Sequence, residues 1–229
     1  MKTNLILLFI FISINISLAQ EKKATEFKAL VNLNVSNLED EPIANETVIF
    51  ISEKDQQEYL ATTNDSGRVQ ILLPKGKKYD VKYRDLIEKV KYSSFEVPGG
   101  MGKYSFDITI KFEPSDVVEL KGILFTEGGV IDEMSTIELD MMKEVLELNP
   151  KMEIMVTSHS DNSLDKSESL KKTQAQADLI KAYFIKNGIE KDRIKSKGMG
   201  DMEPLYSNAL PEGRLKNNRI EIRVIKKYL

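Results

Sequence analysis

The sequence lacks cysteine and contains a single histidine, His159. The lack of cysteine excludes disulfides, thiolate metal sites and a cysteine nucleophile. One histidine cannot build a histidine-rich zinc site, and the glycine spacings of Walker and Rossmann phosphate loops are missing. We therefore expect no cofactor and no metal.

A strong charge of one sign is missing as well. The formal net charge is −3, with 30% charged and 7% aromatic residues. This composition is typical of a globular protein and argues against nucleic-acid binding. After the N-terminus, no run approaches the roughly 20 apolar residues that span a bilayer, so we expect no transmembrane segment once the leader is cleaved.

The N-terminus has the pattern of a secretory signal peptide, residues 1–19. Lys2 precedes an apolar run from Leu5 to Ile16, and the small residues of Ser17-Leu18-Ala19 suit a signal peptidase. An uncleaved anchor is the alternative, but the run is short for a spanning helix. We expect export to the periplasm without a lipid anchor, because acylation there needs a cysteine.

The front half of the chain reads as short strands. After a polar leader, residues 20–26, residues 27–113 show β-prone runs separated by turns such as Asn64-Asp65-Ser66-Gly67 and Pro74-Lys75-Gly76. Close strand spacing with glycine, proline and asparagine turns predicts an all-β antiparallel sandwich.

Beyond a linker at residues 114–116, strands and helices alternate over residues 117–229. The predicted elements are a strand Val117–Phe125, a helix after a capping box at Ser135–Glu138, a strand Met152–Thr157, a helix Asp165–Lys186, a strand Arg193–Lys197 and a last strand with Ile220, Ile222 and Val224. The order β-α-β-α-β-β predicts an α+β domain with two helices on one face of a mixed sheet.

Two polar segments stand out in this half. Ser158-His159-Ser160-Asp161 follows the central strand, where layered α/β folds often bind ligands. Gly213 to Arg219 precedes the last strand. If the segments meet, a carboxylate faces guanidinium and amide donors, which suits a zwitterionic ligand.

Residues 117–229 resemble the OmpA-like peptidoglycan-binding domain family. The matching residues are Leu139-Asp140, Asn149-Pro150, Ser158-His159-Ser160-Asp161, Ala177, Tyr183, Gly188-Ile189, Arg193-Ile194, Gly198-Met199-Gly200, Pro204, Asn208, Gly213-Arg214 and Asn217 to Ile222. The resemblance implies non-covalent, non-catalytic binding of the peptidoglycan stem peptide, chiefly its diaminopimelate, in a Gram-negative envelope.

The resemblance also implies roles for individual residues. The ligand-binding residues would be Asp161, Ser160, Ser169, Gln176 and Arg219, supported by His159, Arg214 and Asn217. Asp161 would hold the amino end of the ligand, and Gln176 and Arg219 its carboxylate. From the residue types alone, His159 is a structural or a ligand residue, Asp161 a ligand residue or a helix cap, and Arg214 and Arg219 binding or ion-pair residues.

Gln176 departs from the family pattern, which has an arginine at this position. A glutamine still donates hydrogen bonds, but charged hydrogen bonds contribute roughly 1.5–3 kcal/mol against about 1 kcal/mol for neutral ones. The departure leaves open an alternative, an envelope scaffold whose peptidoglycan site has degenerated. A wall hydrolase is a third and weaker reading.

The front half resembles transthyretin-like or carboxypeptidase-regulatory-like sandwich domains in its turn and strand pattern, as in "ATTNDSGRVQILLPKGKKYDVKY". This resemblance implies an interaction role without catalytic residues. We expect the front half to contact an envelope protein, and that partner to provide any peripheral association with the outer membrane.

Overall fold

The computed structural model describes residues 22–123, 125–126, 130–132 and 136–226. The predicted signal peptide and Ser135 of the predicted capping box lie outside the described residues. Within the described part of the chain, no helix is both long enough and apolar enough to cross a membrane.

Seven strands form the front half. They are β1 (Lys28–Ser36), β2 (Thr47–Ser52), β3 (Glu58–Thr62), β4 (Arg68–Pro74), β5 (Lys77–Asp85), β6 (Glu88–Val97) and β7 (Ser105–Lys111). They pair into two sheets, β4-β1-β7 and β3-β2-β5-β6. Alternate residues of β1 are buried, as the period of two along a half-buried strand requires.

The two sheets share one apolar core. Its largest buried side chains include Phe50, Leu73, Tyr79 and Ile110. The rings of Phe50 and Tyr79 meet edge to face, with centroids 6.3 Å apart. The transthyretin-like resemblance of this half stays a prediction.

One pairing differs from the expected antiparallel arrangement. β1 and β7 run parallel, whereas the other strand pairs of this half are antiparallel. The reason is the path between β6 and β7: the chain leaves one sheet through residues 98–104 and enters the other beside β1 in the same direction. A hairpin would have reversed the direction of the strand.

The described residues of the second half form four strands, three α-helices and one 3-10 turn. They are β8 (Val117–Leu120), α1 (Ile137–Leu148), β9 (Glu153–His159), α2 (Lys166–Lys186), a 3-10 turn (Lys191–Arg193), β10 (Ile194–Gly200), α3 (Pro211–Asn217) and β11 (Ile220–Lys226). The sheet order is β10-β9-β11-β8, with β10 and β9 parallel and the remaining pairs antiparallel. The predicted mixed sheet is confirmed, and α3 is an additional element.

Both long helices bury the faces that periodicity predicted. Leu139, Met142 and Leu146 of α1 join Ala177, Ile180 and Phe184 of α2 in one core with the sheet. Leu170 was expected on the buried face of α2 but is 38% exposed. Ser169 and Thr173 are buried there instead, and Thr173 Oγ1 donates to the Ser169 carbonyl oxygen at 2.9 Å.

Helix boundaries follow local chemistry. The Asp165 carboxylate accepts hydrogen bonds from the amides of Ser167 and Glu168, and Gly188 ends α2 in a left-handed conformation. The start of α1 differs from the expected capping box: the Glu138 carboxylate accepts from the amides of Lys121 and Gly122. β8 ends at Leu120 instead of Phe125.

The β5–β6 hairpin joins the two halves. Ile87 at its tip is 6% exposed and belongs to the core cluster of the second half. Arg84 Nη1 lies 2.9 Å from Glu144 Oε2 of α1, and both Ser115 amide and hydroxyl donate to the Asp85 carboxylate. The predicted linker is therefore bonded to the hairpin.

Candidate functional site

The candidate site lies where β9 ends. The His159 amide donates to the Arg219 carbonyl oxygen at 2.9 Å, and the Ser160 amide donates to the Gly200 carbonyl oxygen at 2.9 Å. These bonds fix the strand end between β10 and β11. The His159–Arg219 bond also shows that the two polar segments singled out in the sequence meet. A short loop then leads from Asp161 into α2.

Asp161 is held by its neighbours on both sides. Its Oδ1 accepts from the Ser163 amide at 2.9 Å, and its Oδ2 accepts from Asn218 Nδ2 at 2.8 Å. The Asp161 amide donates in turn to Asn218 Oδ1 at 3.1 Å. This reciprocal pair ties the end of β9 to the residue before β11.

The Asp161 carboxylate is charged and has no ion-pair partner among the described residues. Desolvation acts to raise the pKa of Asp161, but hydrogen bonds from Ser163 and Asn218 and the charge of Arg214 outweigh it, so the pKa lies below its ordinary value. A carboxylate has about four lone-pair sites, so these bonds leave room for a cationic donor.

A groove of about 580 Å³ lies beside this strand end. Its polar side includes Ser163, Lys172, Gln176, Asn218 and Arg219. Its apolar side is formed by Leu120, Ile123, Phe125, Leu215 and Ile220. A mixed lining of this kind suits a peptide that has both charged and aliphatic parts.

Gln176 lines the groove from α2. Its Oε1 accepts from the hydroxyl of Ser158, which is fully buried on β9, at 2.8 Å. This bond orients the amide so that its NH2 group is left to donate, and that group has no acceptor among the described residues. Gln176 therefore contacts the end of β9, and its role in ligand binding stays a prediction.

Arg219 lines the groove but is largely engaged in internal bonds. It is 6% exposed, and its Nε donates to Glu221 Oε1 at 2.7 Å. Its Nη atoms donate to the carbonyl oxygens of Asn217 and Glu203 at 3.4 and 3.2 Å. Because Glu221 neutralises the guanidinium, the structure does not provide the free cation that a ligand carboxylate was expected to find.

His159 is buried beside this ion pair. Its Nε2 lies 3.9 Å from Glu221 Oε2, and neither ring nitrogen has a hydrogen-bond partner among the described residues. Burial lowers the pKa of His159 below its ordinary value, and the charge of Arg219 lowers it further. The imidazole is therefore neutral at physiological pH and fits a structural role.

Ser160 and Ser169 lie inside the domain. They are 4% and 0% exposed, and their hydroxyl oxygens are 2.5 Å apart, so that they bond to each other. The expectation that they line the pocket is not met by this placement. Their bond instead fixes the loop after β9 against α2.

Asn217 and Arg214 bond to the segment that precedes α3. Asn217 Oδ1 accepts from the amides of Leu205 and Tyr206, while Nδ2 donates to Asn208 Oδ1. Arg214 Nη1 donates to the Asn208 carbonyl oxygen at 2.8 Å. Both residues hold the segment before α3 in place, and their supporting role at a ligand site stays a prediction.

Two residues of the site were not predicted as such. Asn218 was part of the Asn217 to Ile222 match without a role of its own, yet it bonds directly to Asp161. Lys172 was not among the predicted site residues, yet it lines the groove. Its spacing of four residues from Gln176, one helical turn, was the signal that places both on one side of α2.

Among the described residues, no group of three or more histidine, aspartate or glutamate side chains lies close enough to hold a metal ion.

Comparison with known proteins finds a family match within the second half. Residues 126–219 match the OmpA family, so this part of the chain is an OmpA-like domain and the resemblance is confirmed for it. The peptidoglycan-binding protein ArfA of Mycobacterium tuberculosis is 30% identical over 86 residues, which cover 38% of this chain and 26% of ArfA.

Two further similarities fall in this half. Outer membrane protein A of Bordetella avium is 32% identical over 72 residues, covering 31% of this chain and 37% of that protein. The cell wall anchor of the T6SS from Pseudomonas aeruginosa superimposes with a TM-score of 0.42 at 24% identity, over 47% of this chain and 78% of that one. The chain spans well under half the length of both curated relatives.

Proposed function

We propose that the OmpA-like domain binds the peptidoglycan stem peptide without covalent chemistry and anchors an envelope assembly to the cell wall. The observation that carries this proposal is the charged Asp161 carboxylate, which has no cationic partner among the described residues and stands at a strand end beside a groove. The similarity to ArfA, which is named as a peptidoglycan-binding protein, supports the same ligand class.

In this proposal Asp161 accepts hydrogen bonds from the ammonium group of diaminopimelate. A charge-assisted bond of this kind is roughly twice as strong as a neutral one. The Gln176 NH2 group donates to the carboxyl end of the ligand, and the apolar wall with Leu215 packs against its aliphatic chain. The protein would act in the periplasm, with the front half contacting an envelope protein.

Removal of the Asp161 charge tests the proposal. Wild-type protein should sediment with purified peptidoglycan sacculi, and Asp161→Ala should reduce the bound fraction about tenfold or more, because the ammonium loses its counter-charge. Asp192→Asn, which removes one exposed acidic charge near the opposite end of β10, is the matched control and should sediment like the wild type.

Different results would favour the second candidate, an envelope scaffold with a degenerated site. Gln176 in place of an arginine is the feature that favours it. No sedimentation of the folded wild-type protein would exclude wall binding and leave the scaffold. Release of soluble muropeptides in the same assay would indicate a hydrolase, and we expect none.

A further inference from the structure

The charges around the groove are balanced by the protein itself. Three of the lining cations lie beside acids: Lys121 is 2.8 Å from Glu88, Lys216 is 2.8 Å from Glu212, and Arg219 is 2.7 Å from Glu221. Only the Arg219–Glu221 pair is buried. Exposed ion pairs contribute little to stability, whereas separating a buried pair leaves a buried charge without its counter-charge. The groove therefore offers no buried, uncompensated cation among its described lining residues.

Lys172 is the remaining basic residue of the lining. Its side chain is exposed, and no acidic group of the described residues pairs with it. An exposed ammonium keeps its hydration, and salt screens its attraction for an anion. Lys172 can attract an anion to the rim, but it is not a substitute for a guanidinium inside the groove.

Gln176 provides the polar contact on α2. Because its Oε1 is engaged by Ser158, the group it presents to a ligand is a neutral NH2 donor. Such a donor bonds to the oxygen of a carboxamide and, more strongly, to that of a carboxylate. A carboxylate, however, loses much more hydration free energy when it leaves water, and here no buried cation compensates that loss.

Asp161 adds to this discrimination. Its charge forms no salt bridge among the described residues, although the charge of Arg214 acts on it from farther away. The carboxylate therefore attracts an ammonium group and repels a neighbouring carboxylate. In diaminopimelate each amino group shares its carbon with a carboxyl group. Amidation of that carboxyl group leaves the ammonium charge and removes the negative charge beside it.

Resting on the function proposed above, we infer that the groove selects an amino group adjacent to a neutral carboxamide over one adjacent to a free carboxylate. The ligand class is thus a stem peptide whose diaminopimelate is amidated. Asp161 holds the ammonium, and the carboxamide oxygen accepts from Gln176. The preference follows from two groove residues: the neutral Gln176, to which the proposed function assigns the ligand carboxyl group, and the ion-paired Arg219, to which it does not.

Calorimetric titration with two synthetic stem peptides tests this inference. The peptides are identical except that the side-chain carboxyl group of diaminopimelate is free in one and amidated in the other. The full chain should bind the amidated peptide about tenfold more tightly. Gln176→Arg should reverse the preference, because a guanidinium forms a paired bond with the free carboxylate.

Ala175→Arg is the matched control. Residue 175 is exposed on α2, so the variant adds the same charge one position away from the groove, and its preference should stay that of the wild type. Equal affinity for both peptides, or tighter binding of the free acid by the wild type, would overturn the inference while sedimentation with sacculi upholds the proposed function. Loss of sedimentation would overturn both.

Discussion

At the scale of single residues, the site depends on which charges are already paired. Arg219 is 6% exposed, and its partner Glu221 keeps partial contact with solvent. We expect Arg219→Ala to lower the free energy of unfolding by about 2–4 kcal/mol, because it leaves Glu221 without its counter-charge and empties a buried volume. Urea denaturation measures the loss.

Arg223→Ala on the same strand is the matched comparison. Arg223 is exposed, so its removal should change the free energy of unfolding by no more than about 0.5 kcal/mol. If both variants unfold at the same urea concentration, Arg219 is not structural and its role as a ligand residue regains support.

The sequence predicted residue positions better than side-chain directions. It placed Asp161 at the end of the central strand and Gln176 in the following helix, where the structure has them. It did not reveal that Ser160 and Ser169 bond to each other, because the direction of a side chain in the loop after β9 depends on where α2 packs. The Asp161–Asn218 pair joins residues 57 positions apart, and no local pattern reports such a contact.

At the scale of elements, the packing of α2 on β10 fixes the position of Gln176. A Cβ atom on Gly198 would lie 2.2 Å from the Gln174 backbone nitrogen, so glycine allows the helix to approach the strand. We expect Gly198→Ala to cost about 1–3 kcal/mol of stability and to displace α2, which weakens peptidoglycan binding. Thermal unfolding and sacculus sedimentation measure the two effects.

Gly122→Ala provides the control for this change. A Cβ atom at Gly122 meets nothing within 4 Å among the described residues, so this variant should melt and bind like the wild type. Identical melting temperatures for the two variants would contradict close packing at Gly198.

Elements with a sustained period were predictable, and short or long-range ones were not. Buried residues recur at the helical period in α1 and α2 and at every second position in β11, so these elements could be predicted from the sequence. α3 is only 7 residues long, too short for a clear helical period. The parallel pairing of β1 and β7 depends on how the chain crosses between sheets, which strand composition does not encode.

At the scale of the whole molecule, the two halves are joined by more than the predicted linker. Ile87 reaches from the β5–β6 hairpin into the core of the second half. The sequence marked the boundary at residues 114–116, but it could not show that a hairpin from the first half completes the core of the second. Only tertiary packing brings Ile87 to α1 and the mixed sheet.

Glu46 lies at this junction, in a cavity of about 100 Å³ lined by both halves. Its Oε1 accepts from the Arg84 amide at 2.8 Å. Burial, with a smaller contribution from the charge of Asp85, raises the pKa of Glu46 from 4.5 to about 8. Between pH 4.5 and about 8, the Glu46 carboxyl group is therefore protonated in the folded protein and ionised in the unfolded chain.

The stability that this proton contributes is complete below pH 4.5 and is lost as the pH rises through about 8. Between pH 5 and pH 9 we expect Glu46 to lower the free energy of unfolding by about 2–4 kcal/mol. Glu46→Gln, which keeps the shape without the charge, should remove this pH dependence in urea titrations. Glu39→Gln on an exposed turn should follow the wild type. A wild-type protein as stable at pH 9 as at pH 5, with no gain for Glu46→Gln, would show that the junction does not hold a protonated carboxyl group.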